Sequence, residues 1–156
     1  MENLAYKIIT PRFIGRTKYS KLVLIMSFVL VGAFIGIIYS SKKPSVDIDN
    51  GVLTIKSLFY GKSIPIGEIN VNGVQQLNLN IDKDYNIKIR TNGIGLPNYH
   101  VGWMRLNNGN KALAYLMDKT NVVLIPTKDY DVLISTKDFD RIKEALNEGI
   151  KVGKEK

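Results

Sequence analysis

Cysteine is absent from the 156-residue chain, and histidine and tryptophan occur once each, at His100 and Trp103. Without cysteine there is no disulfide framework, no thiolate nucleophile and no Cys-ligated zinc site. A Ser-His-Asp relay would have to use His100, and the chain lacks the G-x-S-x-G turn that presents a serine nucleophile in many hydrolases. These absences predict a protein that is not an enzyme and carries no cofactor.

Phosphate-cradling motifs are also missing, although residues 90–106 are rich in glycine. Gly93 and Gly95 are followed by Leu-Pro-Asn, which matches neither a dinucleotide fingerprint nor a Walker loop. We expect a connection between strands here, with Asn92 and Gly93 turning the chain. Gly95 and Gly102 are expected to allow close backbone passage.

No metal site is predicted, although aspartates recur two residues apart. Calcium loops need further ligands, and the segment from Asp82 has Ile87 where an EF-hand requires glycine. Aspartate is also a common turn and cap residue, which accounts for these pairs without a metal. The pairs are Asp47/Asp49, Asp82/Asp84, Asp129/Asp131 and Asp138/Asp140.

Nucleic-acid binding is not expected, although the formal net charge is +8. Residues 1–43 carry seven Lys or Arg against one acidic residue, whereas residues 44–156 carry fifteen against thirteen. Binding a polyanion requires basic residues concentrated on one face. The excess positive charge belongs mainly to a predicted basic N-terminal tail over residues 1–21, with a short basic tail at residues 151–156.

A long uncharged apolar run is present over residues 22–39, LVLIMSFVLVGAFIGIIY, with lysines on both sides. As a helix it would span about 27 Å, close to the hydrocarbon core of a bilayer. The run exceeds the usual signal-peptide length, and no A-x-A-like cleavage site follows it. We therefore predict an uncleaved transmembrane helix over residues 22–39.

The charge bias around this run predicts its orientation. Five Lys or Arg precede it closely, and basic flanks remain on the cytoplasmic side. The expected location is the cell membrane, single-pass, with the N-terminus inside and the folded part outside. Gly32, Gly36 and Ser40 share one helix face at the spacing that lets two membrane helices approach, so a homodimer is a further expectation.

A linker is predicted over residues 40–46, and brief runs with period-two alternation follow it, which is typical of half-buried strands. Asn-Gly pairs at 50–51, 72–73, 92–93 and 108–109 predict tight turns. The expected strand segments are 52–56, 63–66, 76–81, 87–90, 102–106, 112–117, 122–127 and 132–135. After residue 135 the apolar residues recur at the spacing of a helix.

A C-terminal amphipathic helix is predicted because Phe139, Ile142, Leu146 and Ile150 form one apolar stripe. Gly149 or Gly153 could end it. The predicted fold is therefore mainly β, a partly open antiparallel β-barrel or sandwich capped by this helix and preceded by the transmembrane helix.

Three segments resemble successive blocks of a bacterial pleckstrin-homology-like (PH-like) domain family. They are GVLTIKSLFYGKSIPIGEI, IKIRTNGIGLPNYHVGWMRL and LIPTKDYDVLISTKDFDRI. The resemblance covers roughly Asp47 to Leu146, and the PH-like domain is predicted over residues 47–150. It implies a helix-capped barrel, often attached to membrane segments, in a family whose role is largely undefined.

Candidate interaction residues are aromatic, apolar or arginine side chains near turns and strand ends. Leu58, Phe59 and Tyr60 lie in the first hairpin region, where they either fold inward or contact the bilayer or a partner. The basic pattern that binds inositol lipids in eukaryotic PH domains is broken there by Ile64. The other candidates are Tyr99, Trp103 and Arg105, of which the last two are residue types enriched at protein contacts.

The predicted function is a membrane-anchored, non-catalytic PH-like interaction module. It would tether or sense a protein, a peptide or the envelope or lipid surface beside the membrane, where confinement raises effective concentration. One alternative is a small-ligand-binding or enzymatic domain on a membrane anchor. Another is a cytoplasmic-facing regulatory sensor of a membrane complex.

Overall fold

The computed structural model describes residues 18–40 and 43–154, with side chains over 21–37 and 43–149. The chain divides into two units, residues 1–40 and residues 41–156. Most of the predicted basic tail over 1–21 lies outside the described residues.

The first unit contains helix α1 (Lys18–Ser40). Large apolar side chains along it are exposed, among them Phe28 and Leu30. Among the described residues, no helix combines the length and apolar character needed to cross a membrane. The prediction that residues 22–39 span a membrane is therefore not supported by the part of the chain that the structure describes.

The second unit opens with a three-stranded antiparallel sheet of β1 (Ser45–Asp49), β2 (Val52–Lys56) and β3 (Lys62–Pro65), in that order. Asn50 and Gly51 both have positive φ, 49° and 76°, as a tight hairpin turn requires. The predicted turn at 50–51 is confirmed. Strand β1 begins inside the predicted linker, which is therefore shorter than 40–46.

A six-stranded sheet forms the rest of the β structure, in the order β4-β8-β9-β7-β6-β5. Its strands are β4 (Gln75–Leu77), β5 (Ile87–Leu96), β6 (Tyr99–Leu106), β7 (Lys111–Leu116), β8 (Val122–Pro126) and β9 (Asp131–Ser135). The expected all-antiparallel pairing is wrong at one place, because β7 and β9 are parallel. Strand β9 follows β8 through a short turn and pairs with it antiparallel, in the position between β8 and β7. Strand β9 therefore runs in the same direction as β7.

Strands β7, β8 and β9 are buried on both faces, since nearly all their residues lie in the core. This explains why they read as continuous apolar runs rather than as alternating ones. One face carries a compact apolar cluster onto which Tyr85 and Ile87 pack. Its buried members are Leu77, Leu79, Met104, Leu106, Ala112, Ala114, Leu116, Val122, Leu124 and Leu133.

Helix α2 (Phe139–Lys154) confirms the predicted C-terminal helix. Ile142 and Leu146 are buried, Phe139 is half-buried, and the side chain of Ile150 lies outside the described residues. The helix contacts β1 and the 3-10 turns at Ile66–Glu68 and Val71–Gly73.

Gly149 does not end helix α2, which continues into the predicted basic tail over 151–156. A Cβ on Gly149 would lie 2.3 Å from Cδ1 of Ile66. Glycine at this position therefore allows close approach of the helix to the turn at Ile66–Glu68, and it acts as a packing residue instead of a cap.

The predicted strand over 76–81 is mostly wrong, because β4 ends at Leu77. Residues after it turn tightly, with the backbone N–H of Asp82 donating to the carbonyl of Asn78 (2.7 Å). The Asp82 carboxylate accepts from the N–H of Asn78 at 2.7 Å, so this aspartate is a turn residue as expected.

The predicted turn at Asn92-Gly93 is also wrong, because both residues lie inside β5 and pair with Trp103 and Gly102. The chain turns instead at residues 97–98, where Asn98 has φ 56°. The pair at 72–73 lies in a 3-10 turn, whereas the pair at 108–109 does turn the β6–β7 hairpin.

Close backbone passage at Gly102 is confirmed. A Cβ there would lie 2.5 Å from the Asn92 carbonyl oxygen and 2.6 Å from the Gly93 Cα, and its φ of +123° favours glycine.

Candidate ligand-binding cleft

A cleft of about 800 Å³ opens on the face of the large sheet that carries the apolar cluster. Its floor is apolar and includes Leu79, which is 2% exposed, and Leu116, which is 4% exposed. Its rim is polar and is dominated by asparagine. The lining residues are Leu79, Asn80, Asn86, Ile87, Asn98, His100, Asn107, Leu116, Met117, Asp118, Lys119 and Thr120.

Strand register explains how these residues meet. His100 on β6 pairs with Leu116 on β7, so both side chains lie on the same face of the sheet. The segment that follows β4 returns across this face and supplies Leu79 and Asn80. The backbone N–H of Leu79 donates to the carbonyl of Lys119 (2.7 Å), which joins this segment to the loop after β7.

The loop after β7, residues 117–121, is held by Ser135 on the neighbouring strand β9. The Ser135 hydroxyl accepts from the N–H groups of Met117 and Asp118, each at 3.0 Å, and donates to the Asp118 carbonyl at 2.6 Å. Because the loop is fixed from below, it forms a rigid wall of the cleft.

Asp118 organises the same loop from above. Its carboxylate accepts from the N–H of Thr120 (3.0 Å), from the Thr120 hydroxyl (2.9 Å) and from the Asn121 amide (3.0 Å). These hydrogen bonds, led by the one from the Thr120 backbone, hold the pKa of Asp118 well below its usual range. Asp118 is therefore an anion whose acceptor sites are already used within the loop.

The end of the cleft lined by His100 is cationic, because Lys119 lines the cleft there and Arg90, which is not itself a lining residue, lies beside His100. Nη1 of Arg90 lies 2.2 Å from the point where a Cβ on Gly95 would stand, and Nδ1 of His100 lies 3.5 Å from that point. Because Gly95 lacks a side chain, the guanidinium can lie over the strand beside His100, where it donates to the Gly95 carbonyl at 3.4 Å. Lys119 lines the cleft at the same end.

The His100 imidazole is half-buried, and its pKa is lowered. Burial is the largest cause, followed by the positive charges of Lys119 and Arg90. His100 is thus neutral at neutral pH, and each of these causes opposes its protonation.

Four asparagine side chains line the cleft, and each offers a hydrogen-bond donor and an acceptor. Asn107 has a structural role, since its side-chain amide donates to the carbonyl of Lys83 (2.8 Å) and its N–H donates to the carbonyl of Asn86 (2.9 Å). Asn80 and Asn98 are exposed and Asn86 is half-buried. The rim therefore presents neutral amides to anything that occupies the cleft.

Three titratable side chains line the cleft. Its titratable side chains are His100, Asp118 and Lys119, and the Asp118 carboxylate is hydrogen-bonded within its own loop. Among the described residues, no group of three or more His, Asp or Glu side chains is placed to hold a metal ion. What the cleft offers is an apolar floor, neutral amides and one cationic end.

The predicted interaction residues on β6 lie on the opposite face of the sheet from the cleft, because Tyr99, Trp103 and Arg105 alternate with His100 along the strand. Tyr99 is buried. The Trp103 ring is half-buried, meets the edge of Tyr130 at a centroid distance of 5.0 Å, and has Nζ of Lys111 4.2 Å from its centroid. Arg105 is exposed and donates to the carbonyl of Gly109 at 3.0 Å.

The predicted residues after β2 divide into exposed and anchored ones. Leu58 is 57% exposed, whereas Phe59 and Tyr60 are half-buried. The Tyr60 hydroxyl donates to Oδ1 of Asn92 at 2.9 Å, and Asn92 pairs with Trp103. The structure therefore brings Tyr60 and Trp103 to one region, away from the cleft.

The predicted helix-packing residues stay a prediction. Open space surrounds the point where a Cβ would stand on Gly32 or Gly36, and the side chain of Ser40 lies outside the described ones.

Sequence reasoning missed most of the cleft. From the sequence, Asn80 is predicted to lie in a strand over 76–81, and no role is predicted for Lys119. The strand that follows His100 is predicted to begin only at residue 102, whereas His100 lies on β6. The one available signal was the number of asparagines beside strand ends, and that signal also describes ordinary turns.

Two β-sheets closed by a C-terminal helix are the layout of the pleckstrin-homology class, whose domains generally act as interaction modules. The family model described as "Bacterial PH domain" matches residues 45–150, which is more than half of the chain. The chain belongs to this bacterial PH domain family. Comparison with curated proteins and with solved structures finds no match.

Proposed function

We propose that this protein is a non-catalytic interaction module whose PH domain binds a partner in the cleft, while α1 attaches the domain to a membrane. The observation that carries the first part is the composition of the cleft. An apolar floor with convergent neutral amides suits binding of a ligand, and it offers neither a nucleophile paired with a base nor a metal cluster among the described residues.

The rigidity of the cleft supports the same conclusion. Ser135 on β9 holds the 117–121 loop. The hydrogen bond from Leu79 to Lys119 ties the segment after β4 to the same loop. A site whose walls are already ordered loses little conformational entropy when it binds, so weak contacts suffice for recognition.

The membrane part of the proposal is supported by the uncharged run over residues 22–39 and by the exposure of large apolar side chains along it, such as Phe28. Exposed apolar surface of this extent is unfavourable in water and favourable in lipid. The basic residues that precede the run favour a cytoplasmic N-terminus, with the PH domain on the outer side of the membrane.

Site-specific photo-crosslinking of the full chain in its native cells tests the cleft. A photoreactive residue replaces Asn80, on the cleft rim, and in a matched variant replaces Asn72, which is exposed and does not line the cleft. A discrete adduct from position 80 that is absent at position 72 supports the proposal. Equal labelling at both positions, or turnover of a small molecule by the purified chain, contradicts it.

Membrane attachment is tested separately by alkaline extraction and flotation of the full chain. Leu30→Lys is expected to release it, because a lysine within an inserted helix costs about 3 kcal/mol. Asn72→Lys, with the same added charge at an exposed site, is the control. A Ser45→Cys variant reports the side, since it should react with an impermeant thiol reagent in intact cells. Freely soluble wild-type protein would exclude this part of the proposal.

A further inference from the structure

We propose that the cationic end of the cleft, formed by His100 and Lys119 with Arg90 beside them, receives the C-terminal carboxylate of a peptide whose preceding residues lie over the apolar floor, between the asparagines of the rim. This inference rests on the proposed interaction function and names the partner chemistry at the same cleft.

The two permanent cations at this end lack a carboxylate partner within the described structure. The ion pair found among the described residues joins Lys56 to Asp47 at 3.3 Å, and neither Arg90 nor Lys119 takes part in one. Asp118 is the carboxylate that lines the cleft, and its oxygens are occupied by Thr120 and Asn121. Hydrogen bonds from these neutral groups leave the negative charge of Asp118 in place. Arg90 and Lys119 carry two positive charges against that one, so an incoming anion meets a net charge of +1.

The placement of Arg90 is built into the sheet. Arg90 lies on the exposed edge strand β5, where an arginine would ordinarily extend into solvent, yet its guanidinium lies over Gly95. A Cβ at position 95 would collide with Nη1 at 2.2 Å, so glycine there is what allows this position. The same arrangement brings the guanidinium to His100, and planar guanidinium groups bind carboxylates through paired hydrogen bonds.

His100 adds a proton-linked contact. Protonation of His100 is opposed by burial, by Lys119 and by Arg90, and the carboxylate among the lining residues is that of Asp118. A bound carboxylate offsets the positive charge beside His100 and favours the imidazolium, which can then donate to the ligand. The peptide should consequently bind more tightly as the pH falls through the range in which the His100 of the complex takes up its proton.

The remainder of the cleft distinguishes a peptide from a lipid. The side-chain amides of Asn80, Asn86 and Asn98 each carry a donor and an acceptor, which can pair with the N–H and C=O groups of an extended backbone. Leu79 and Ile87 on the floor suit apolar side chains. An acyl chain would leave the amides unmatched, and a multiply phosphorylated headgroup would meet only two permanent cations above an apolar floor.

The test uses the detergent-solubilised full chain and a set of dye-labelled synthetic pentapeptides ending in Leu, Val, Phe, Ser or Lys. Each is made as the free acid and as the C-terminal amide, and binding is followed by fluorescence anisotropy. At least one free acid should bind saturably, and its amide should bind roughly ten to a hundred times more weakly, the loss expected for a charge-assisted hydrogen bond.

Arg90→Gln and Lys119→Gln should each weaken binding of the free-acid peptide by roughly tenfold or more and leave binding of the amide unchanged. The matched controls are Lys88→Gln, on the same strand, and Lys128→Gln, in the turn after β8. Both remove one exposed charge away from the cleft lining, and both should bind like the wild type. Thermal unfolding of each variant checks that it is folded.

Three outcomes overturn the inference. They are equal binding of acid and amide, no saturable binding of any peptide, and Arg90-dependent binding only to vesicles containing anionic lipid. A position-80 adduct that survives Arg90→Gln would leave the interaction function standing while the carboxylate assignment fails, so the two proposals are separable.

Discussion

The Tyr115 hydroxyl in the centre of β7 donates to the main-chain carbonyl of Tyr60, which has a left-handed φ of 62°. A residue from the core of the large sheet thereby fixes the chain that connects β2 to β3. Burial raises the pKa of the Tyr115 phenol, in keeping with a neutral donor held in the core.

Tyr115→Phe should lower the free energy of unfolding by about 1–3 kcal/mol, because it leaves the Tyr60 carbonyl without its donor while keeping the ring in place. Urea titration of the detergent-solubilised chain measures the loss. Tyr85→Phe is the control, since its hydroxyl accepts only a long 3.3 Å hydrogen bond from Gln75, and it should change stability by less than about 0.5 kcal/mol. Equal losses in both variants would show that the Tyr115–Tyr60 hydrogen bond stabilises the fold no more than the Gln75–Tyr85 hydrogen bond does.

Gly102→Ala should destabilise the domain by at least about 2 kcal/mol, because the new methyl group meets the Asn92 carbonyl and the φ of +123° is unfavourable for alanine. Calorimetry or urea titration provides the measurement. Gly67→Ala serves as the control, since no atom lies within 4 Å of its Cβ position, and its change should stay within about 1 kcal/mol. A tolerant Gly102→Ala would mean that the β5–β6 pairing is looser than described.

The lowered pKa of His100 leads us to expect that the free energy of unfolding of the chain without ligand falls below neutral pH. Its folded-state pKa lies below the ordinary 6.5, so the unfolded chain binds the proton more tightly. The stabilisation from neutral His100 is present above 6.5 and is lost as the pH falls from 6.5 through the lowered folded pKa. Melting temperatures of wild type and His100→Gln between about pH 7.5 and about pH 5 should show a shallower decline in the variant. Parallel curves would exclude this role.

The lowered pKa of Asp118 leads us to expect a second loss of stability at lower pH. Because its folded pKa is depressed below the ordinary 3.8, its contribution is present above 3.8 and disappears as the pH falls below that value. Asp118→Asn should lower stability at neutral pH and should also reduce the position-80 adduct, since the wall of the cleft loses its internal ties. Asp129→Asn, at an exposed turn, is the comparison. An unchanged adduct would show that the loop keeps its shape without the carboxylate.

Helix α2 could be predicted from the sequence because Ile142 and Leu146 form a stripe that depends on local spacing alone. The hairpin turn at Asn50-Gly51 was predictable for a similar reason, since both residues tolerate positive φ. The Asn92-Gly93 pair looks the same locally, yet it lies in a strand. There the deciding contact is Gly102, nine residues from Gly93 along the chain and directly opposite it in the sheet.

The cleft could not be predicted because its parts come from distant places. Arg90, His100 and Lys119 are separated by ten and nineteen residues, and the pairing of β5, β6 and β7 brings them together. Period-two patterns show that a strand has two faces, but they do not show which strands are neighbours. A lone histidine therefore gave no reason to consider those two cations with it.

The position of β9 between β7 and β8 has a consequence for biosynthesis. During synthesis β7 and β8 leave the ribosome before the strand that separates them, so the middle of the large sheet stays empty until residues 131–135 emerge. Co-translational folding of this sheet must wait until residues 131–135 have emerged, and a nascent chain stopped before Asp131 would expose both inner strand edges to other chains.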